Sequence, residues 1–168
     1  MKKLLSLLIL TGTLFAQANN VFTLNPSVNS AGMGNVGIAH ADVKNVFHNP
    51  AFAGLRESHQ EISYVDWLPN LTDDMGYQSI LYTSDLGWSS ELFYFNYGEQ
   101  TQADQGGIIL GDFESASFRL SGGYGFQIKD WMFGARLNLY NHSFIDDLDI
   151  DMNYGFDLGA YKEFGNTS

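Results

Sequence analysis

The sequence predicts an all-β protein: an antiparallel transmembrane β-barrel of which the chain carries about six strands, preceded by a plug-like segment with a short helix. Three observations predict it. The N-terminus carries an export signal, the composition is aromatic and glycine-rich but poor in charge, and apolar and polar residues alternate in runs of about ten.

The export signal reads from the first residue. Met1-Lys2-Lys3 forms a basic head, Leu4 to Phe15 an apolar run, and Ala16-Gln17-Ala18 a small-residue site. That order is a secretory signal peptide cleaved after Ala18, whereas a spanning helix needs roughly 20 apolar residues, more than this run contains. The chain then divides into a signal peptide (1–18), an N-terminal plug or periplasmic segment (19–58) and barrel strands (59–168). With no Cys anywhere, a lipidated N-terminal Cys, disulfides and thiolate metal sites are all excluded.

Composition narrows the class. Aromatic residues make up 15% of the chain and glycines number 18, beside only 16% charged residues. That is too aromatic for a disordered chain and too sparsely charged for an ordinary soluble surface. The formal charge of -11 argues against nucleic acid, whose binders need a surplus of Lys and Arg.

Alternation supplies the strands. In the segment from Trp131 to Tyr140, Trp131, Phe133, Ala135, Leu137 and Leu139 share one face, while Met132, Gly134, Arg136, Asn138 and Tyr140 share the other. The run before it repeats the pattern, with Phe118, Leu120, Tyr124 and Phe126 opposed to Ser117, Arg119, Ser121 and Gly125. Lys129-Asp130 between them predicts a tight hairpin. On this reading Arg119, Arg136 and Asn138 face a lumen and the apolar residues face lipid.

Four more strands are expected, over Glu61 to Trp67, Gly76 to Ser84, Trp88 to Gly98 and Asp151 to Phe164. The connections Asp85-Leu86-Gly87 and Lys129-Asp130 are short, whereas Pro69 to Met75, Glu99 to Gly111 and Asn141 to Ile150 are expected to be long loops. Short periplasmic turns opposite long outer loops are the outer-membrane arrangement, and Trp67, Trp88, Trp131, Tyr97 and Tyr140 near strand ends would form its aromatic girdle. A soluble sandwich also gives alternation, and the loop asymmetry is what favours the barrel. Six strands fall short of the smallest bacterial barrels, so the chain is expected to be partial or to complete its sheet with another chain.

The segment before the strands differs. It holds Gly32, Gly34 and Gly37, then an expected short helix over Ala41 to Phe47, then Asn49-Pro50-Ala51, where Pro50 forces Asn49 into an extended conformation that ends the helix. The glycines match G-x-G-x-x-G in form, but no strand-turn-helix context supports a nucleotide site. They are expected instead to let the backbone approach the lumen wall.

Ser30 to Ala39 followed by Asn49-Pro50-Ala51, together with Asp66-Trp67-Leu68-Pro69-Asn70 and Gly155 to Tyr161, resembles the PorV/PorQ family of FadL-like outer-membrane barrels. Gly-Met-Gly and Asn-Pro-Ala are its distinctive pieces. The resemblance implies a barrel of about fourteen strands with the N-terminal segment folded inside, of which this chain covers less than half. It implies a place in the cell outer membrane. Its partners would be outer-membrane lipid and, in type IX secretion, a secreted cargo protein or other secretion components; FadL relatives instead pass hydrophobic molecules.

Catalytic constellations are poor. His40, His48, His59 and His142 have no paired metal spacing, and there is no nucleophile elbow or thiol. Asp147, Asp149 and Asp151 begin like an EF-hand, yet Met152 and Leu158 stand where Gly and Glu are required. Asp146, Asp147, Asp149 and Asp151 thus read either as a looser Ca²⁺ site or as a solvated acidic loop. No enzyme and no cofactor is expected.

Overall fold

The computed structural model describes residues 20–38, 40–72, 74–143 and 152–164. The signal peptide (1–18) and the acidic loop (146–151) lie outside them. Six strands, β1 (His59–Asp66), β2 (Gly76–Thr83), β3 (Trp88–Ala103), β4 (Ile109–Ile128), β5 (Trp131–Ser143) and β6 (Met152–Lys162), form one antiparallel sheet in sequence order. Among the described residues β1 and β6 do not pair with each other, so the sheet is open.

Short hairpin turns fix the register. Ser84 N–H donates to Trp88 O at 2.8 Å across the β2–β3 turn, and Lys129 takes a left-handed conformation (φ 55) in the β4–β5 turn. From there β4 and β5 pair without interruption from Ile128↔Trp131 to Ala116↔Ser143. The expected long loop from Glu99 to Gly111 is overturned. β3 and β4 continue through it as a paired ribbon, interrupted by register shifts at Asn96/Glu99 and Gln102/Ala103 and closed by a turn over Asp104 to Ile108. Polar residues such as Gln100, Thr101 and Gln102 read as loop, yet a long hairpin in solvent needs no apolar face.

The N-terminal segment lies on one face of the sheet and is built from short helical turns. A 3-10 turn at Asn20–Thr23 is followed by α1 (Val28–Gly32), capped by the Ser27 hydroxyl accepting from Ser30 N–H. The expected helix over Ala41 to Phe47 is only a 3-10 turn, Val43–Asn45, capped by Asp42. It stops there, and Asn49 then leaves the helical region (φ -145, ψ 108) as Pro50 requires. Asn49 caps a third 3-10 turn that alternation did not reveal, Pro50–Leu55, which ends on Arg56 in the left-handed region.

Apolar packing gathers between this segment and the sheet. Val21 and Leu24 meet Tyr77, Phe93 and Phe95; Ala51 and Phe52 meet Met132 and Tyr161; Val46 and Ala53 meet Leu81. Of the five residues expected in a girdle, Trp88 and Trp131 are exposed on the bare face. Trp67, Tyr97 and Tyr140 are not: Trp67 and Tyr97 pack with Phe95, and Tyr140 lies 4.9 Å from the Phe22 ring. Strand parity sends these side chains inward, which proximity to a strand end cannot override.

Candidate functional site between the N-terminal segment and the sheet

Beside its apolar clusters the covered face buries many polar and charged residues, where a sheet core would ordinarily be apolar. Ser63, Ser79, Thr83, Glu91, Ser117 and Ser121 are all buried there, and so are Arg119 at 2% exposure and Asn138 at 1%. A buried charge needs a partner and hydrogen bonds, and each has them. Arg119 donates from Nε to Glu91 Oε1 at 2.8 Å, pairs with the same oxygen through Nη2, and donates from Nη1 to the Phe22 carbonyl. Its guanidinium lies between two aromatic faces, 4.5 Å from the Phe47 ring centre and 4.9 Å from that of Phe93.

A second cluster stands beside the first. Arg136 donates to Asp157 Oδ2 from Nε at 3.0 Å and Nη2 at 2.7 Å, and reaches the Val46 carbonyl from Nη1 at 3.3 Å. Asn138 donates to the same Asp157 oxygen at 2.7 Å and accepts from the Ser121 hydroxyl at 2.7 Å. The Arg136 guanidinium also lies 5.3 Å from Phe47, so one ring of the N-terminal segment faces both arginines. Glu91 Oε2 has no hydrogen-bond partner, and Glu91 helps line a cavity of about 10 Å³ with Val46, Ser89, Ser121 and Arg136. Such a space suits about one water.

Asn49, Pro50 and Ala51 sit on a seat made of glycines. Gly125, Gly134 and Gly159 are register partners across β4, β5 and β6, all on the covered face. A Cβ on Gly134 would stand 2.2 Å from Pro50 O, one on Gly125 2.4 Å from Gly54 N, and one on Gly159 2.0 Å from Asn49 Oδ1. The Pro50–Leu55 turn therefore lies directly on strand backbone, and Asn49 Nδ2 donates to Ala160 O at 3.2 Å.

The glycines singled out from sequence have other roles. Nothing lies within 4 Å of a Cβ at Gly32 or Gly34, so neither approaches the sheet; Gly34 has φ +75 in the turn after α1. Gly37 does need its missing side chain, but against His48, whose Cδ2 would be 2.0 Å away. The clash expected with the wall is a clash within the segment.

His48 ties that segment together. Its Nε2 lies 3.1 Å from Asn25 Nδ2, a donor, so the ring nitrogen accepts, and the Ser30 hydroxyl is 3.3 Å away. Asn25 Nδ2 also donates to Asn35 Oδ1 at 3.0 Å. Burial, reinforced by the Arg136 charge, holds the imidazole pKa below its ordinary value. At the sheet edge, Ser27 donates to Glu61 at 2.9 Å, anchoring α1 to β1.

Sequence reasoning reached Arg119, Arg136 and Asn138 but not their partners Glu91, Asp157 and Phe47. Parity would have found the two carboxylates, since both occupy inward positions of their strands. Inward glycines at alternate positions were the available signal for the seat. Among the described residues no group of three or more His, Asp or Glu is placed to hold a metal, and no helix is long and apolar enough to cross a membrane. No protein-family model, no curated protein and no solved structure matches the chain.

Proposed function

We propose that the protein is an outer-membrane β-barrel component of the PorV/PorQ type, serving protein secretion to the cell surface, with the N-terminal segment as its plug. The observation that carries the reading is the inverted polarity of the sheet. The covered face holds two ion-pair clusters, while the bare face carries an unbroken register row of aliphatic residues, Ile62, Ile80, Leu92, Leu120 and Leu139, from β1 to β5. Ile62 is 82% exposed. A soluble sheet turns its apolar side inward; a membrane barrel turns it to lipid.

Aromatic residues flank that row on both sides. Tyr64, Tyr94 and Phe118 stand toward the long connections, and Tyr82, Trp88 and Tyr124 toward the short turns. An aliphatic band between aromatic margins suits a bilayer core between its two interfaces. The alternative, a FadL-like channel for hydrophobic small molecules, would need an apolar path along the covered face. That face is instead crossed by Arg119–Glu91 and Arg136–Asp157, which favours a plugged scaffold over a conduit. The test is fractionation of the native protein together with a swelling assay in liposomes. Recovery with the outer membrane and no solute leak are expected; recovery from the cytosol or periplasm would refute the barrel, and leak of apolar solutes would favour the channel.

A further inference from the structure

The ribbon formed by β3 and β4 leaves the sheet. Among the described residues β3 loses its β2 partner after Asn96 and β4 has no β5 partner before Ala116, so beyond those positions the two strands pair with each other. The free part extends for roughly 20 Å at strand spacing. A bare hairpin of this kind is marginal alone, and this one is braced. Asp74 accepts from Glu99 N–H at 2.7 Å at its base, Thr101 donates to Asp112 at 2.9 Å along its length, and Asp104 accepts from Gly106 and Ile108 N–H at its tip.

The braced tip displays apolar residues to solvent. Ile108, Ile109 and Leu110 are exposed in succession, and the register shift beside Ala103 leaves Leu110 outside the ladder, so strand alternation does not hide one of the three. Around them the charge has one sign. The sequence contains no Lys or Arg between Arg56 and Arg119, and Glu99, Asp104, Asp112 and Glu114 lie on the ribbon itself. Glu99 and Glu114 are direct cross-strand partners, a like-charge pairing that weakens a hairpin.

We infer that this tip is a docking element for a partner protein with an apolar cleft edged by Lys and Arg, resting on the barrel reading, which places the ribbon outside the bilayer. Apolar side chains supply the buried contact, and the carboxylates steer a basic rim and relieve their own repulsion when it arrives. An anionic lipid surface would be repelled by the same carboxylates. A second copy of the chain, at a formal charge of -11, would be repelled as well.

The test places a photo-crosslinking residue, p-benzoyl-phenylalanine, at position 109 of the full chain in its native envelope. A matching label at Tyr94 on the bare face serves as control. The expected product at 109 is a discrete protein adduct whose linked peptide carries Lys or Arg beside apolar residues. Its yield should fall at least ten-fold in an Ile108→Ser/Leu110→Ser background and several-fold with Glu99→Gln/Glu114→Gln. An adduct only to lipid, only to a second copy, or none at all while the protein still fractionates with the outer membrane overturns the docking tip alone. Recovery of the protein in a soluble fraction overturns the barrel reading and the docking tip with it.

Discussion

The two faces of the sheet are made from the same strands and could hardly differ more. On the covered face each charged residue is held by named partners, and the packing is close enough for glycines to be required. On the bare face Ile, Leu, Tyr and Trp stand in rows, exposed among the described residues. One face is specified atom by atom, by geometry. The other is specified only by chemical class.

The largest effect should come from opening the covered face. Arg119→Ala leaves Glu91 charged, buried and unpaired, and breaking such a pair costs about 3–5 kcal/mol. Urea unfolding followed by Trp fluorescence should show that loss, with Arg119→Lys recovering only part of it, because Lys cannot meet Glu91 Oε1 from two nitrogens and reach the Phe22 carbonyl as well. A stability within experimental error of the native protein would mean that the cluster is not buried as described.

Next comes the bare face. Leu120→Arg places a cation in the aliphatic row, at a cost of about 2–4 kcal/mol if that row faces lipid, but of about 0.5 kcal/mol or less on a solvated surface. Assembly yield in lipid vesicles decides between them. A smaller effect is expected at the glycine seat. Gly134→Ala drives a Cβ into the Pro50 carbonyl and should weaken docking by about 1–3 kcal/mol while leaving the strands paired. Faster proteolysis of the N-terminal segment, with unchanged β-sheet circular dichroism, is the expected signature.

The smallest effect concerns pH. The His48 pKa is depressed in the folded chain relative to its ordinary value of 6.5, so between the two values the unfolded chain binds more protons than the folded one. The contribution of His48 is therefore complete above about pH 6.5 and declines as pH falls through the folded value. Protonation also turns Nε2 from an acceptor into a donor facing Asn25 Nδ2. Protection of residues 25–37 from protease should decrease on acidification, and His48→Gln should remove that pH dependence.

The sequence made the faces legible because a strand's parity survives any error at its ends. Arg119, Arg136 and Asn138 are on the covered side and Phe133, Leu137 and Leu139 on the bare side, although every strand boundary except the starts of β2, β3 and β5 and the end of β4 differs from expectation. The ribbon beyond Asn96 was illegible because a solvated hairpin carries no apolar pattern. The seat was missed for another reason: Gly125, Gly134 and Gly159 become one feature only after three strands are aligned, and no single segment records that alignment. Glycines that are close in sequence, 32 and 34, looked more like a motif and touch nothing.

That alignment has a consequence for how the chain reaches its native state. Asn49 bonds Ala160 across 111 positions, so the N-terminal segment is synthesised long before its seat exists. It can settle only when β4, β5 and β6 have met in one particular register. A slip of two residues keeps every side chain on its own face and preserves the ladder, yet it would bring Met132 or Arg136 under Pro50 in place of Gly134, and Asp157 or Tyr161 in place of Gly159. The seated turn thus acts as a late inspection of strand order. Hairpins that pair wrongly satisfy their own hydrogen bonds but leave the Pro50–Leu55 turn nowhere to rest, and they forfeit the burial that the correct register alone permits.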